Sequence, residues 1–301
     1  MEVIKIQPQG YCLGVTKALN LVKKAIKENP DKVIYLLGMI VHNDLINQAL
    51  LRQGVKLLSS NKAKQQWIEE LNAGILIISA HGVNPDLIKK AEEKGLIVYD
   101  ATCQHVKVAQ QMVTDYLAQD FDIIYIGEPQ HPEAQGIISI APARIHLVNQ
   151  LSDIADLRIN NERIIVITQT TINHQAVQEL FANISVYFPQ ALISGEICAA
   201  TKQRQAAVCQ LAEDLDLLFV VGDKSSNNAN KLVEIGQNKG IKQVYLVTSV
   251  ADIVDFDFNN IKKVGVTSAA STPPYLTNQL ISYLQTYPEG KIPALDLEKI
   301  L

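Results

Sequence analysis

The sequence predicts an α/β protein made of three similar small parallel-sheet units set around a pseudo-threefold axis as a trefoil. Three observations carry that expectation. Three apolar stretches end in a cysteine: "VIKIQPQGYC", "LIVYDATC" and "ALISGEIC" deliver Cys12, Cys103 and Cys198, almost evenly spaced. Each cysteine is followed by a stretch of helical periodicity, "LGVTKALNLVKKAIK", "QHVKVAQQMVTDYLA" and "AATKQRQAAVCQLAE". After each helix the same order of elements returns, and its two polar loops fall at nearly the same distance from the cysteine. Agreement at so many positions marks an internal repeat.

The first unit spans residues 1–102 and opens on the N-terminal strand. Its strand "VIYLL" breaks into a loop at His42, "VKLLS" follows, and "ILIIS" runs into a loop at His81. The second unit spans 103–197. There "IIYI" runs into "GEPQHPEAQG" with His131 and Glu133, "RIHLV" follows, and "IIVIT" ends in "QTT" with Thr170. The third unit, 198–301, ends in a C-terminal tail. Its "LFVV" breaks into "GDKSSNNAN" with Ser226, Asn227 and Asn228, "QVYLV" follows, and "VGVTS" ends at Ser271. Strands alternating with helices imply right-handed crossovers and parallel sheets. Continuous apolar runs such as "LFVV" suit strands covered on both faces. In such sheets ligand-binding groups gather beyond the carboxyl ends of the strands. The cysteines and the polar loops all fall at such ends.

Composition narrows the function. With 301 residues, 48% hydrophobic and 19% charged, the chain can bury a core, and disorder is not expected. A formal charge of -4 and no dense Lys/Arg block argue against a nucleic-acid or membrane-surface role. No apolar run approaches the ~20 residues of a membrane span, and "MEVIKIQPQG" lacks the layout of a signal peptide. A cytoplasmic protein is expected, in which the four cysteines stay reduced.

Cys209, mid-helix among Val208, Leu211 and Ala212, reads as a small core residue. The other three each end a strand and precede a helix, where backbone N–H groups favour thiolate. Three converging thiolates need a cation between them. Zinc would close such a site with His42, His81 or His131, although zinc usually takes two ligands from one short loop. An iron–sulfur cubane reaches wider. Held by three cysteines, it leaves one iron open as a Lewis acid.

The loops suit a small anionic substrate. His42, His81, Ser226, Asn228 and Ser271 are donors, and helices beginning at these loops offer N-terminal amides. No Walker-type phosphate loop is present, and none of these donor loops carries an arginine. "HPE" alone reads as a helix start: Pro132 suits the first helical position, and Glu133 suits the helix dipole.

As an ordered set, "GYCLGV", "VHN", "SAHGV", "DATC", "HPEAQG", "TQTT", "ICAATKQRQ", "KSSNNAN" and "SAASTP" resemble the 4-hydroxy-3-methylbut-2-enyl diphosphate reductase family. They cover the chain from Gly10 to Pro273. The resemblance implies a central 4Fe–4S cluster on Cys12, Cys103 and Cys198, and reductive loss of the substrate hydroxyl at its open iron. It implies isopentenyl or dimethylallyl diphosphate as product and a small ferredoxin or flavodoxin as electron donor. His42, His81, Ser226, Asn228 and Ser271 would hold the diphosphate, with His131 beside it. Thr170 would position the hydroxyl, and Glu133 would deliver protons. Three features depart from the family pattern. Gln104 and His105 follow "DATC" in place of proline and an apolar residue. Asn227 stands where some relatives have serine, and Glu128 and Gln135 flank "HPE". Two rival readings stay open. One is an iron–sulfur dehydratase or condensing enzyme of the quinolinate synthase type, for which loop arginines are expected. The other is a non-catalytic metal-binding protein.

Overall fold

The continuous apolar runs become buried central strands of parallel sheets, as at Ile75–Ile78, Ile164–Thr168 and Leu217–Val221. In this computed structural model residues 1–58, 62–194, 198–211, 215–290, 292 and 294–301 are described. From the N-terminus, β1 (Glu2–Lys5) leads to α1 (Leu13–Glu28). β2 (Ile34–Leu37), α2 (Asp44–Arg52), β3 (Lys56–Leu58), α3 (Lys64–Glu70), β4 (Ile75–Ile78), α4 (Pro85–Glu93) and β5 (Ile97–Asp100) follow. The series recurs as α5 (Gln104–Ala118), β6 (Asp122–Ile126), α6 (Pro132–Ile138), β7 (Ile145–Val148), α7 (Leu151–Asp156), β8 (Ile164–Thr168), α8 (His174–Tyr187) and β9 (Leu192–Ile193). It recurs again as α9 (Ala199–Leu211), β10 (Leu217–Val221), α10 (Asn227–Asn238), β11 (Gln243–Val247), a 3₁₀ turn at Val250–Ile253, β12 (Lys263–Ser268) and α11 (Pro274–Thr286).

Among the described residues these strands form three four-stranded parallel sheets, ordered β3-β2-β4-β5, β7-β6-β8-β9 and β11-β10-β12-β1. The order is the same in each, with a cysteine following the outer strand at one edge. β1, grouped by sequence with residues 1–102, pairs with β12, Val3 beside Val264, and completes the sheet of the last repeat. Order along the chain does not say which edge a terminal strand will reach. By contacts the chain divides into two compact units. One comprises Met1–Thr16, Val41–Gly54 and Ala199–Leu301, and the other Lys17–Ile40 and Val55–Cys198.

The first unit holds one sheet. Leu218 and Val220 on one face pack with Ala229, Leu232 and Ile235 of α10 and with Val208 of α9. On the other face Phe219 meets Phe256 and Phe258 edge-on. The second unit holds two sheets. Every residue of β8 is buried. Its Ile164 and Val166 pack toward Val177, Leu180 and Ile184 of α8, while Ile165 and Ile167 pack toward Val113 of α5 and Ile137 of α6. Each such isoleucine contributes about 1.5–3 kcal/mol through removal from water.

Two sequence expectations change. Cys209 is exposed, not a core residue. The buried residues of α9 are Thr201, Arg204, Gln205 and Val208, and the next position along a helix turns away from that face. Its expected neighbour Ala212 lies outside the described residues. The strand expected from "ALISGEIC" shrinks to Leu192–Ile193, and residues 195–197 lie outside the described residues. His105 is exposed on α5, and the helix begins at Gln104 directly after Cys103. Among the described residues, no helix is long and apolar enough to cross a membrane.

Candidate active site

The polar loops keep a common register beyond the strand ends. His42, His131 and Ser226 each lie five positions past Leu37, Ile126 and Val221, the last residues of β2, β6 and β10. Ala80, Thr170 and Ala270 each lie two positions past the ends of β4, β8 and β12. Those three carbonyls accept the backbone N–H of the three strand-end cysteines. Cys103 donates to Ala80 at 3.0 Å, Cys198 to Thr170 at 3.2 Å and Cys12 to Ala270 at 3.0 Å. Thr170 is thus equivalent to Ala80 and Ala270, one position earlier than a pairing with His81 and Ser271 suggests.

In the second unit the end of β6 carries the chain into α6. His131 is the N-cap of that helix, and its Nδ1 accepts the Glu133 N–H at 3.2 Å. An accepting Nδ1 leaves the proton of a neutral ring on Nε2, which becomes a donor. The helix-start reading of "HPE" therefore holds. It is not the whole account, because the Glu133 side chain is 2% exposed rather than solvated. Its Oε1 accepts the Thr170 N–H and its Oε2 the Thr170 hydroxyl, both at 2.8 Å, with the Tyr125 hydroxyl 3.4 Å from Oε1. Burial pushes the carboxyl up to about 7, against the opposing pull of the Thr170 and Tyr125 bonds. A carboxyl that titrates near neutrality can both give and take a proton. The His81 ring stands edge-on to His131 at 5.5 Å between centroids, and Ser79 Oγ lies 3.4 Å from His81 Nδ1. The compact unit of Lys17–Ile40 and Val55–Cys198 thus brings together His81, Cys103, His131, Glu133, Thr170 and Cys198.

The compact unit of Met1–Thr16, Val41–Gly54 and Ala199–Leu301 gathers Cys12, His42, Ser226, Asn227, Asn228 and Ser271. Ser226 caps α10, accepting the Ala229 N–H through its hydroxyl, and Asn227 is that helix's first residue. Ser271 Oγ donates to the His42 carbonyl at 3.1 Å. Asn228 Oδ1 accepts the Ala270 N–H at 2.9 Å, which directs the amide nitrogen the other way. That buried Nδ2 has no hydrogen-bond partner among the described residues. A buried unpaired donor carries a penalty that an anion would remove. Burial holds the His42 imidazole below its ordinary value, with the Asp223 carboxylate acting against it.

Three residues emerge that the sequence did not single out. Gln169, fully buried, accepts the Glu128 N–H and donates to Thr171 Oγ1, so it ties the loop before α6 to the Thr170 loop. It lies inside "TQTT", but nothing in the spacing shows which member turns inward. Tyr125 alternates along β6 as a core residue, and only its hydroxyl marks it out. Arg204, 2% exposed, donates to the carbonyls of Gly10 and Ser268 and ties α9 to the chain ahead of Cys12.

The strand-end cysteines are half-buried, and helices begin directly after them at Leu13, Gln104 and Ala199. Cysteine sulfur is the ligand an iron–sulfur cluster takes, and the same backbone anchoring recurs at all three cysteines. The donor set fits that group.

Fold and site together define an α/β enzyme with a buried neutral-range acid, loop donors for an anion and three like thiols. Residues 3–285 match the model of the LytB protein family. The chain is 40% identical over its full length to the 4-hydroxy-3-methylbut-2-enyl diphosphate reductase of Geobacillus kaustophilus, covering 97% of that protein. It is 39% identical to the enzyme of the same name from Symbiobacterium thermophilum over 95% of this chain and 98% of that one. Among solved structures it is similar to the E-1-hydroxy-2-methyl-but-2-enyl-4-diphosphate reductase from Plasmodium falciparum. There the TM-score is 0.88 at 31% identity, covering 99% of this chain and 96% of that one. The chain belongs to the LytB family. It is an oxidoreductase, and its family implies an iron–sulfur cofactor. Membership sets aside the quinolinate synthase and non-catalytic readings.

Proposed function

We propose that the protein reduces 4-hydroxy-3-methylbut-2-enyl diphosphate to isopentenyl and dimethylallyl diphosphate, with a 4Fe–4S cluster held by Cys12, Cys103 and Cys198. The observation that carries this reading is the buried Glu133–Thr170 couple, whose threonine carbonyl accepts the Cys198 N–H. In this reading the repeats run from cysteine to cysteine, with boundaries at 102/103 and 197/198.

The reaction breaks the allylic C–O bond with two electrons and two protons, releases water and forms a C–H bond. When bound, the cluster supplies the electrons and a Lewis-acidic iron for the hydroxyl. The chain supplies the rest. Protonated Glu133 gives the proton that lets hydroxyl leave as water. Thr170 orients that carboxyl through two hydrogen bonds and holds the hydroxyl end of the substrate. His42, His81, His131, Ser226, Asn227, Asn228 and Ser271 hold the diphosphate, a role supported by the unpaired Asn228 Nδ2. A ferredoxin or flavodoxin delivers the electrons in the cytoplasm, where the thiols stay reduced.

The test is anaerobic turnover with a chemical reductant, with products separated by chromatography. Water release with both five-carbon diphosphates is expected. A reconstituted, iron-loaded protein that leaves the substrate unchanged would overturn the reading.

A further inference from the structure

Asp223 puts a carboxylate into a loop otherwise built of anion donors, "GDKSSNNAN". A negative charge there opposes diphosphate binding, so its presence asks for a compensating role. The side chain is 9% exposed and its two oxygens are divided between two loops. Oδ1 closes its own loop, accepting the Ser225 N–H at 2.8 Å and the Ser225 hydroxyl at 2.7 Å. Oδ2 reaches across to the loop after β2 and accepts the Asp44 N–H at 2.8 Å. Asp44 is the first residue of α2, and its amide is one that no helical carbonyl can satisfy. Asn43 accepts the Ile46 N–H at the same helix start, so the two side chains divide the end between them.

We propose that Asp223 is a positioning residue of the anion site, clamping the His42 loop to the Ser226–Asn228 loop through the Asp44 amide. The Ser271–His42 hydrogen bond holds the same loop from a third side. The donors then meet the diphosphate with their spacing already set, and the cost of ordering them is not taken from binding. The inference rests on the proposed diphosphate role of His42 and Asn228.

Coulomb's law and the clamp predict opposite signs. If Asp223 only repels the substrate, removing its charge strengthens diphosphate binding. If it clamps, removing its oxygens weakens binding. The experiment compares Asp223→Ala and Asp223→Asn with His42→Ala in anaerobically purified holoprotein. It measures Kd for inorganic diphosphate by calorimetry, KM and kcat with a chemical reductant, and iron content. Asp223→Ala is expected to raise Kd and KM about five- to thirtyfold, the loss of one or two charge-assisted hydrogen bonds, with kcat within about twofold. Asp223→Asn keeps one accepting oxygen and the side-chain shape, so its Kd should rise about two- to fivefold and its fold should be retained. Unchanged or tighter binding in both variants overturns the clamp. So does a parallel fall of kcat and iron content, which marks a merely structural role. His42→Ala separates the two levels: if it leaves Kd unchanged, the anion-site reading fails; if it weakens binding while both Asp223 variants do not, only the clamp fails.

Discussion

At the scale of the residue, Glu133 shows how a position can satisfy two readings. It occupies the first turn of α6, as "HPE" suggests, and its carboxyl is also buried against Thr170. If proton delivery is its task, Glu133→Gln keeps the shape but cannot pass a proton. Turnover should fall by at least about a hundredfold while iron content and diphosphate affinity stay near normal. The pH profile gives a second check. Burial raises this carboxyl to about 7, so its acid form is filled below that pH and lost above it. Saturated turnover should therefore decline above about pH 7, approaching tenfold per unit where this proton limits the rate. A profile flat to pH 9, or near-normal turnover in Glu133→Gln, would return the residue to a capping role alone. The anion side is tested by Asn228→Ala, expected to weaken diphosphate binding by about 1–3 kcal/mol in calorimetry. Unchanged affinity there would move the diphosphate elsewhere. The residue types of both sites were legible in the sequence. Their partners were not, because Thr170 reaches Glu133 only through the pairing of β6 with β8.

Among elements, strands were read well where apolar runs were continuous, as in β8 and β10, since burial on both faces leaves no other placement. Reading failed where packing decides. Cys209 has apolar neighbours in sequence but sits one step round α9 from the buried Val208. The register of Thr170 slipped by one position because a loop has no period to count. Glycine after a strand end is a further device that sequence only hints at. At Gly127 a Cβ would come within 2.8 Å of Tyr125 Cε1 and 3.0 Å of Gln169 Oε1. Gly127→Ala should cost about 1–3 kcal/mol of stability as the ring or the amide gives way. The displaced Gln169 should loosen the Glu128 and Thr171 loops, so turnover falls along with the melting temperature. An alanine variant with wild-type melting and turnover would show that these neighbours yield at little cost.

For the whole molecule, one arrangement is written three times: a four-stranded sheet, a cysteine after its outer strand, and a loop carbonyl that anchors the cysteine amide. The recurrence of elements made that repeat visible in the sequence. The pairing of β1 with β12 was hidden, since a chain's first strand has no preceding element to fix its partner. The central claim is that three equivalent cysteines hold one cluster and the fourth cysteine does not. Iron and acid-labile sulfide analysis of anaerobically purified protein tests it most directly. Wild type and Cys209→Ser should each carry about four irons and about four sulfides per chain. Cys12→Ser, Cys103→Ser and Cys198→Ser should each lose most of both. Stoichiometric zinc in the wild type, or full iron and sulfide in any of those three variants, would contradict the claim.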